Sequence, residues 1–188
     1  MKEMNRREFL TLTGAAVVAL SLAGCGAPSA PPAPPAVPTG KEAELLTAIN
    51  KVWKEKHALG LVDHEQLTLN QEAQGAIKIQ GGIFEDAKES VHTLTTKDIE
   101  KLGGITAWEY TMKSKYELGG AAGVSEPSSE GEISLTFKYS CEDAVIQKFV
   151  DKIMKYSLSR EAEFISIYCP VVQGKTYMTA VVFRNNKA

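Results

Sequence analysis

A small set of histidine and cysteine side chains carries the most distinctive chemistry in this 188-residue chain. His57 is expected at the end of a helix, where a cation suits the helix dipole. His64 lies between two acidic residues in an expected turn. Neither belongs to a zinc-binding spacing such as His-Glu-x-x-His, and a metal site needs three or four ligands. The residue types and spacing alone therefore favour exposed histidines, and the same holds for His92, the third histidine of the chain.

Cys141 and Cys169 could serve in three different ways. In an oxidising compartment they could form a disulfide, which would stabilise the fold by about 3 kcal/mol in the chain-entropy model. Alternatively, Cys169 lies in an apolar strand, where a free cysteine packs well. The third alternative is a catalytic thiolate at Cys141, at a helix N-terminus, with His92 as its base. We predict the disulfide, and the other two alternatives stay open at this point.

The third cysteine, Cys25, ends a segment built like a bacterial export signal. Positive charge precedes an apolar run over 9–24, which is shorter than the ~20 apolar residues of a membrane-spanning helix. The sequence Leu-Ala-Gly-Cys at 22–25 resembles the lipobox, in which the cysteine thiol takes a diacylglycerol and the bond before it is cut. We therefore predict that 1–24 is a signal peptide and that Cys25 is lipidated.

The export route is indicated by a pair of arginines. Arg6 and Arg7 lie in the sequence Asn-Arg-Arg-Glu-Phe-Leu at 5–10, which resembles a twin-arginine (Tat) signal. It departs from the usual pattern at Asn5 and in the absence of a lysine after Leu10. A general secretory signal that happens to contain two arginines is the alternative. Either route predicts an extracytoplasmic domain anchored to the bacterial cell membrane by lipid.

Residues 25–40 contain most of the eight prolines of the chain. Proline fixes φ and favours polyproline II, so this segment is expected to be a semi-rigid spacer of ~3.1 Å per residue. The chain has a net charge of −2 and no basic block after Arg7. A nucleic-acid partner is therefore not expected, and contact with a membrane must be covalent or hydrophobic.

The remaining residues, 41–188, predict a mixed α/β domain with an antiparallel sheet. Apolar residues at helical spacing predict helices over 41–57 and 141–157, with shorter helices after Asn70 and Thr96. Alternation over 133–139 predicts a strand, and 164–183 predicts a hairpin that turns at Gln173-Gly174-Lys175. Residues 119–131 are small and polar, which predicts a long exposed loop. No Gly-rich phosphate loop, nucleophile elbow or dinucleotide fingerprint is present.

Several segments together resemble the CAP superfamily of cysteine-rich secretory, antigen 5 and pathogenesis-related (SCP-like) proteins. The sequence Leu-Leu-Thr-Ala-Ile-Asn-Lys at 45–51 is similar to the first helix of that family, and Leu-Thr-Leu-Asn at 67–70 to the entry of its second. His92 stands where the family has its first cleft histidine, and Glu109 follows a Gly-Gly pair in the place of its Glu-Asn-Ile segment. The resemblance implies an α-β-α sandwich with a central antiparallel sheet.

The cleft of this chain departs from the CAP pattern, which has two histidines and two acidic residues, often with a divalent metal. Tyr110 follows Glu109 where the family has Asn, Met154 replaces a tryptophan, and Arg160 replaces the second histidine. The resemblance therefore implies a non-enzymatic binding domain for an apolar ligand, an envelope polymer or an envelope protein. The alternatives are a metal-dependent hydrolase that uses His92 and Glu109, and a structural envelope lipoprotein.

Overall fold

The computed structural model of the chain describes residues 39–70, 84–85, 93–95, 115–126 and 128–186. All of them belong to the unit Pro35–Ala188. The predictions for the signal peptide, the spacer, and the helices expected after Asn70 and Thr96 concern residues outside these ranges.

Two helices and eight short strands make up the described residues. Helix α1 spans Lys41–Ala58 and helix α2 spans Asp143–Ile153. A 3₁₀ helix over Ser157–Glu161 follows α2. The strands are β1 (Thr68–Leu69), β2 (Thr93–Thr95), β3 (Tyr116–Ala122), β4 (Glu132–Ser134), β5 (Phe164–Tyr168), β6 (Val171–Val172), β7 (Lys175–Thr176) and β8 (Thr179–Asn185).

The main sheet has four strands in the order β1-β5-β8-β3. Strand β8 pairs antiparallel with both β5 and β3, whereas β1 adds a parallel edge strand to β5. The predicted mixed α/β class is confirmed, and the sheet is mixed because of that one parallel edge. The antiparallel pair β2–β4 and the hairpin β6–β7 lie outside the main sheet.

Helices α1 and α2 share one hydrophobic core with a single face of the main sheet. The predicted apolar stripe of α1 is buried there, and Trp53 is fully inaccessible to solvent. Phe149 of α2 packs edge-on against Phe137, with ring centroids 5.1 Å apart. On the opposite face of the sheet, Phe183 packs against Phe164 and Tyr116. The second helical layer of the predicted sandwich concerns residues outside the described ranges.

Helices α1 and α2 run parallel to each other. Lys51 of α1 pairs with Asp143 at the start of α2, and Lys56, farther along α1, pairs with Asp151. Contacts that advance in the same direction along both helices require a parallel arrangement. Because Asp143 starts α2 and Lys51 lies past the middle of α1, α2 begins beside the second half of α1, and the C-terminal ends of the two helices lie together.

Helix α2 is shorter than the predicted 141–157. The N-cap residue is Glu142, and the Ser140 hydroxyl accepts a hydrogen bond from the Glu142 N–H at 3.1 Å just before the helix. The helix ends at Ile153, and the chain reverses through a turn into the 3₁₀ helix. Helix α1 matches its prediction within one residue.

The loop predicted over 119–131 was wrong in its first part, because β3 runs through Ala122. Gly119 and Gly120 are buried in this strand at a register shift against β8. A Cβ atom on Gly120 would overlap the backbone carbonyl of Ile153 at the end of α2. The glycines are therefore a packing requirement of the sheet, since they let the backbone of α2 approach β3 closely.

The C-terminal hairpin is confirmed. Its turn consists of two residues and not of the three predicted, because Lys175 belongs to β7. Gln173 and Gly174 both have positive φ, as a type I′ turn requires. Of the predicted strand over 133–139, only β4 is regular. Leu135 and Lys138 continue it as isolated bridges to Val124 and Tyr177.

Candidate functional site

A chain of polar contacts links the first turn of α1 to the segment that leads into α2. The Cys141 thiol donates a hydrogen bond to the Tyr139 hydroxyl oxygen at 3.4 Å, and the Tyr139 hydroxyl donates to Glu44 Oε2 at 2.6 Å. Cys141 is exposed, so the chain begins at solvent. We name the residues in contact around the first turn of α1 the α1 N-terminal cluster. Cys141, Tyr139 and Glu44 form its outer half.

The inner half of the α1 N-terminal cluster holds the end of β5. Glu42 Oε1 accepts a hydrogen bond from the backbone N–H of Cys169 at 3.2 Å. Lys41 Nζ donates to Thr176 Oγ1 at 2.6 Å and lies 5.3 Å from the centroid of the Tyr139 ring, within cation–π range. The first turn of α1 therefore contacts the segments that carry both Cys141 and Cys169.

Two groups of this cluster have shifted acidities. Burial and the hydrogen bonds with Cys141 and Glu44 raise the pKa of Tyr139, so its phenol stays protonated. Burial raises the pKa of Cys169 to about 12, and the negative charge of Glu42 adds to the shift. Cys169 is therefore a neutral thiol at physiological pH. Cys141, the other cysteine of the cluster, is exposed to solvent.

The structure records both cysteines as free thiols, Cys141 exposed and Cys169 buried. Their segments both contact the first turn of α1, through the Tyr139–Glu44 hydrogen bond and through the Glu42 hydrogen bond to the Cys169 N–H. The apolar packing weighed for Cys169 is observed, because its side chain belongs to the main core. The disulfide itself stays a prediction, as does the pairing of Cys141 with His92, which lies outside the described residues.

The remaining predicted site residues are placed as follows. His57 and His64 are exposed, near the end of α1 and in the turn after it. His92, Glu109, Cys25, Arg6 and Arg7 lie outside the described residues. Within the described ranges, no group of three or more His, Cys, Asp or Glu side chains is arranged to hold a metal ion. The same part of the chain contains no helix that is long and apolar enough to cross a membrane.

Asn50 has a role that the sequence pattern alone did not assign. Its side chain donates to the backbone carbonyl of Leu67 at 3.1 Å and accepts from the Leu67 N–H at 2.9 Å. This pair of hydrogen bonds fixes the chain just before β1, while the adjacent Ile49 is buried in the core. The Ile-Asn pair is therefore structural. In the sequence, this role is indicated only by a polar residue that stands next to a buried position of the apolar stripe.

Exposed apolar side chains lie at the C-terminal end of the two parallel helices. Helix α1 ends in a Schellman motif, in which Gly60 has φ 69° and the Leu61 N–H bonds to the Lys56 carbonyl at 3.0 Å. This turn presents Leu59 at 72% exposure and Leu61 at 46%. Tyr156, just after α2, is 36% exposed. We name these three residues the apolar end.

Comparison of the chain with protein-family models gives no match. Comparisons with curated proteins and with solved structures also give none.

Proposed function

We propose that this protein is a bacterial lipoprotein whose domain, anchored through Cys25 outside the cytoplasmic membrane, binds a partner and catalyses no reaction. The sequence resemblance to the CAP superfamily supports a binding role of this kind. The observation that carries the binding role is the apolar end, where a rigid helix terminus exposes two leucines. Such side chains lose contact with water when a partner covers them, which favours association.

The position of α1 supports the tethered arrangement. The helix begins at Lys41, directly after the proline-rich spacer, so the spacer would join the domain at the N-terminal end of α1. An 18-residue helix is ~27 Å long at 1.5 Å per residue. The apolar end therefore lies ~27 Å from the attachment point, on the far side of the helical layer. An envelope protein or polymer is the kind of partner that this geometry suits.

The lipid anchor is tested by the intact mass of the protein purified from membranes. The expected species begins at Cys25 and carries a diacylglyceryl group, whereas Cys25→Ser should keep the mass of the uncleaved precursor. A mature chain with an unmodified Cys25 would contradict the anchor. Replacing Arg6 and Arg7 by lysine separates the export routes, because only twin-arginine export should stop.

The binding role is tested with the Leu59→Ser/Leu61→Ser double variant. Chemical crosslinking of whole cells should join the wild-type protein to an envelope component, and the double variant should lose that product. Val171→Ser is the matched control, since Val171 is also 50% exposed but lies in the β6–β7 hairpin. Equal crosslinking of all three proteins would contradict a role for the apolar end.

Native mass spectrometry of the protein purified without chelator distinguishes the main alternatives. A lipid or other apolar adduct supports the binding domain. A stoichiometric metal adduct that disappears in the His92→Ala/Glu109→Ala variant would instead support a metal-dependent hydrolase.

A further inference from the structure

The α1 N-terminal cluster contains the only two cysteines among the described residues, and their surroundings differ sharply. Cys141 is exposed and bonds only to the hydroxyl of Tyr139 among the contacts described above. Cys169 is 7% exposed, belongs to the core, and has its backbone held by Glu42. An accessible thiol beside a shielded one is the arrangement expected of an entry thiol and a resolving thiol.

We propose that Cys141 and Cys169 form a redox-active pair, in which Cys141 reacts first with an incoming disulfide and Cys169 then closes an intramolecular disulfide. The oxidant is a small or protein disulfide of the extracytoplasmic compartment. The pair is independent of what the domain binds, but it rests on the proposed extracytoplasmic location, which supplies the oxidant.

The chemistry balances in two thiol–disulfide exchanges. The Cys141 thiolate attacks one sulfur of the oxidant, and the other sulfur leaves as a thiolate that takes up a proton. The Cys169 thiolate then attacks the Cys141 sulfur and expels the second half of the oxidant. The two cysteines lose two electrons and two protons in total, and the oxidant is reduced to two thiols.

The second exchange is the slow one. The raised pKa of Cys169 means that only a small fraction of its thiol is ionised near neutral pH, and the thiolate is the attacking species. Each pH unit below that pKa changes the thiolate fraction about tenfold. The mixed disulfide on Cys141 should therefore persist at neutral pH and resolve rapidly in alkali.

Closing the disulfide also changes what holds α1. Once its sulfur is in the disulfide, Cys141 can no longer donate a hydrogen bond to the Tyr139 hydroxyl. Glu44 accepts a hydrogen bond from the Tyr139 hydroxyl, and Glu42 accepts one from the backbone N–H of Cys169. Oxidation is thus expected to loosen the first turn of α1, where the spacer would join the domain.

The test uses the full chain with Cys25→Ser, so that only the two thiols remain, and an excess of dithiobis-nitrobenzoate. Two coloured thiolates should be released per chain, the second about tenfold faster for each pH unit between pH 7 and pH 9. The product should weigh less than the reduced chain by two hydrogens. The rate of the second release should not depend on protein concentration, because the step is intramolecular. Cys169→Ser should release one thiolate and keep the aryl adduct, and Cys141→Ser should lack the fast release.

Three results would overturn the proposal. The first is that the protein with both cysteines releases one coloured thiolate and keeps the aryl adduct. The second is that it releases two thiolates and keeps two aryl adducts. In neither case has a bond formed between the cysteines. The third is a product linked between chains. Cys169→Ala provides a second resolving-thiol variant, because alanine suits the apolar site if serine prevents folding.

Discussion

At the scale of single residues, Gly120 is a position with no room for a side chain. A Cβ there would overlap the Ile153 carbonyl, and that atom belongs to the last turn of a packed helix. Backbone atoms in this position can move only if α2 shifts away from the sheet.

We expect Gly120→Ala to lower the free energy of unfolding by about 3 kcal/mol, as overpacking of a tight core does. Gly174→Ala is the control, because nothing lies within 4 Å of its Cβ position and only its positive φ opposes alanine. Its cost should be about 1 kcal/mol. Denaturant titration compares the two variants, and equal losses would contradict the close approach of α2.

Cys169 makes the reduced protein less stable in alkali. Below pH 9 its thiol is protonated in both states, so its full contribution is present. Above pH 9 the unfolded chain loses the proton while the folded chain keeps it up to about pH 12, so stability falls.

The expected slope is a loss of up to ~1.4 kcal/mol of unfolding free energy per pH unit in this window. It is measured by denaturant titration between pH 8 and pH 10.5 in reductant. Cys169→Ala should flatten the slope whatever its effect on absolute stability. Tyr139→Phe should keep the slope up to about pH 10, which separates the contribution of Cys169 from that of Tyr139. An unchanged slope in Cys169→Ala would show that Cys169 is not the titrating group.

At the scale of elements, α1 and the hairpin were predictable because their patterns are local. The stripe of α1 buries as its spacing predicts, and Gly60 ends the helix through its positive φ. Strand β3 was not predictable, since Gly119 and Gly120 read as a loop unless the approach of α2 is known. The contacts that bring the segments of Cys141 and Cys169 to the first turn of α1 likewise join residues far apart in sequence.

Asn50 tests how α1 is joined to the edge of the sheet. Asn50→Ala removes both hydrogen bonds to Leu67 and leaves those backbone groups without their partner, so we expect a loss of about 2 kcal/mol. Asn50→Asp keeps the acceptor and should lose less. The matched control is Thr47→Ala, whose hydroxyl bonds only to the Ala43 carbonyl within α1. Amide hydrogen exchange at Leu67 should accelerate in Asn50→Ala alone.

At the scale of the whole molecule, the last strand is central to the sheet. Strand β8 lies between β5 and β3, and its Val182 and Phe183 are fully buried on opposite faces. A chain that ends at Met178 should therefore show no cooperative thermal transition. A chain that ends at Asn186 keeps all of β8 and should unfold cooperatively, and a folded product of the shorter chain would contradict the central position of β8.

The position of β8 also sets when the domain can fold during its synthesis. A ribosome makes a chain from its N-terminus, so β8 is made after both of the strands that it joins. Until β8 has been made, β3 and β5 have no common neighbour in the sheet. The main sheet therefore cannot close before β8 is available.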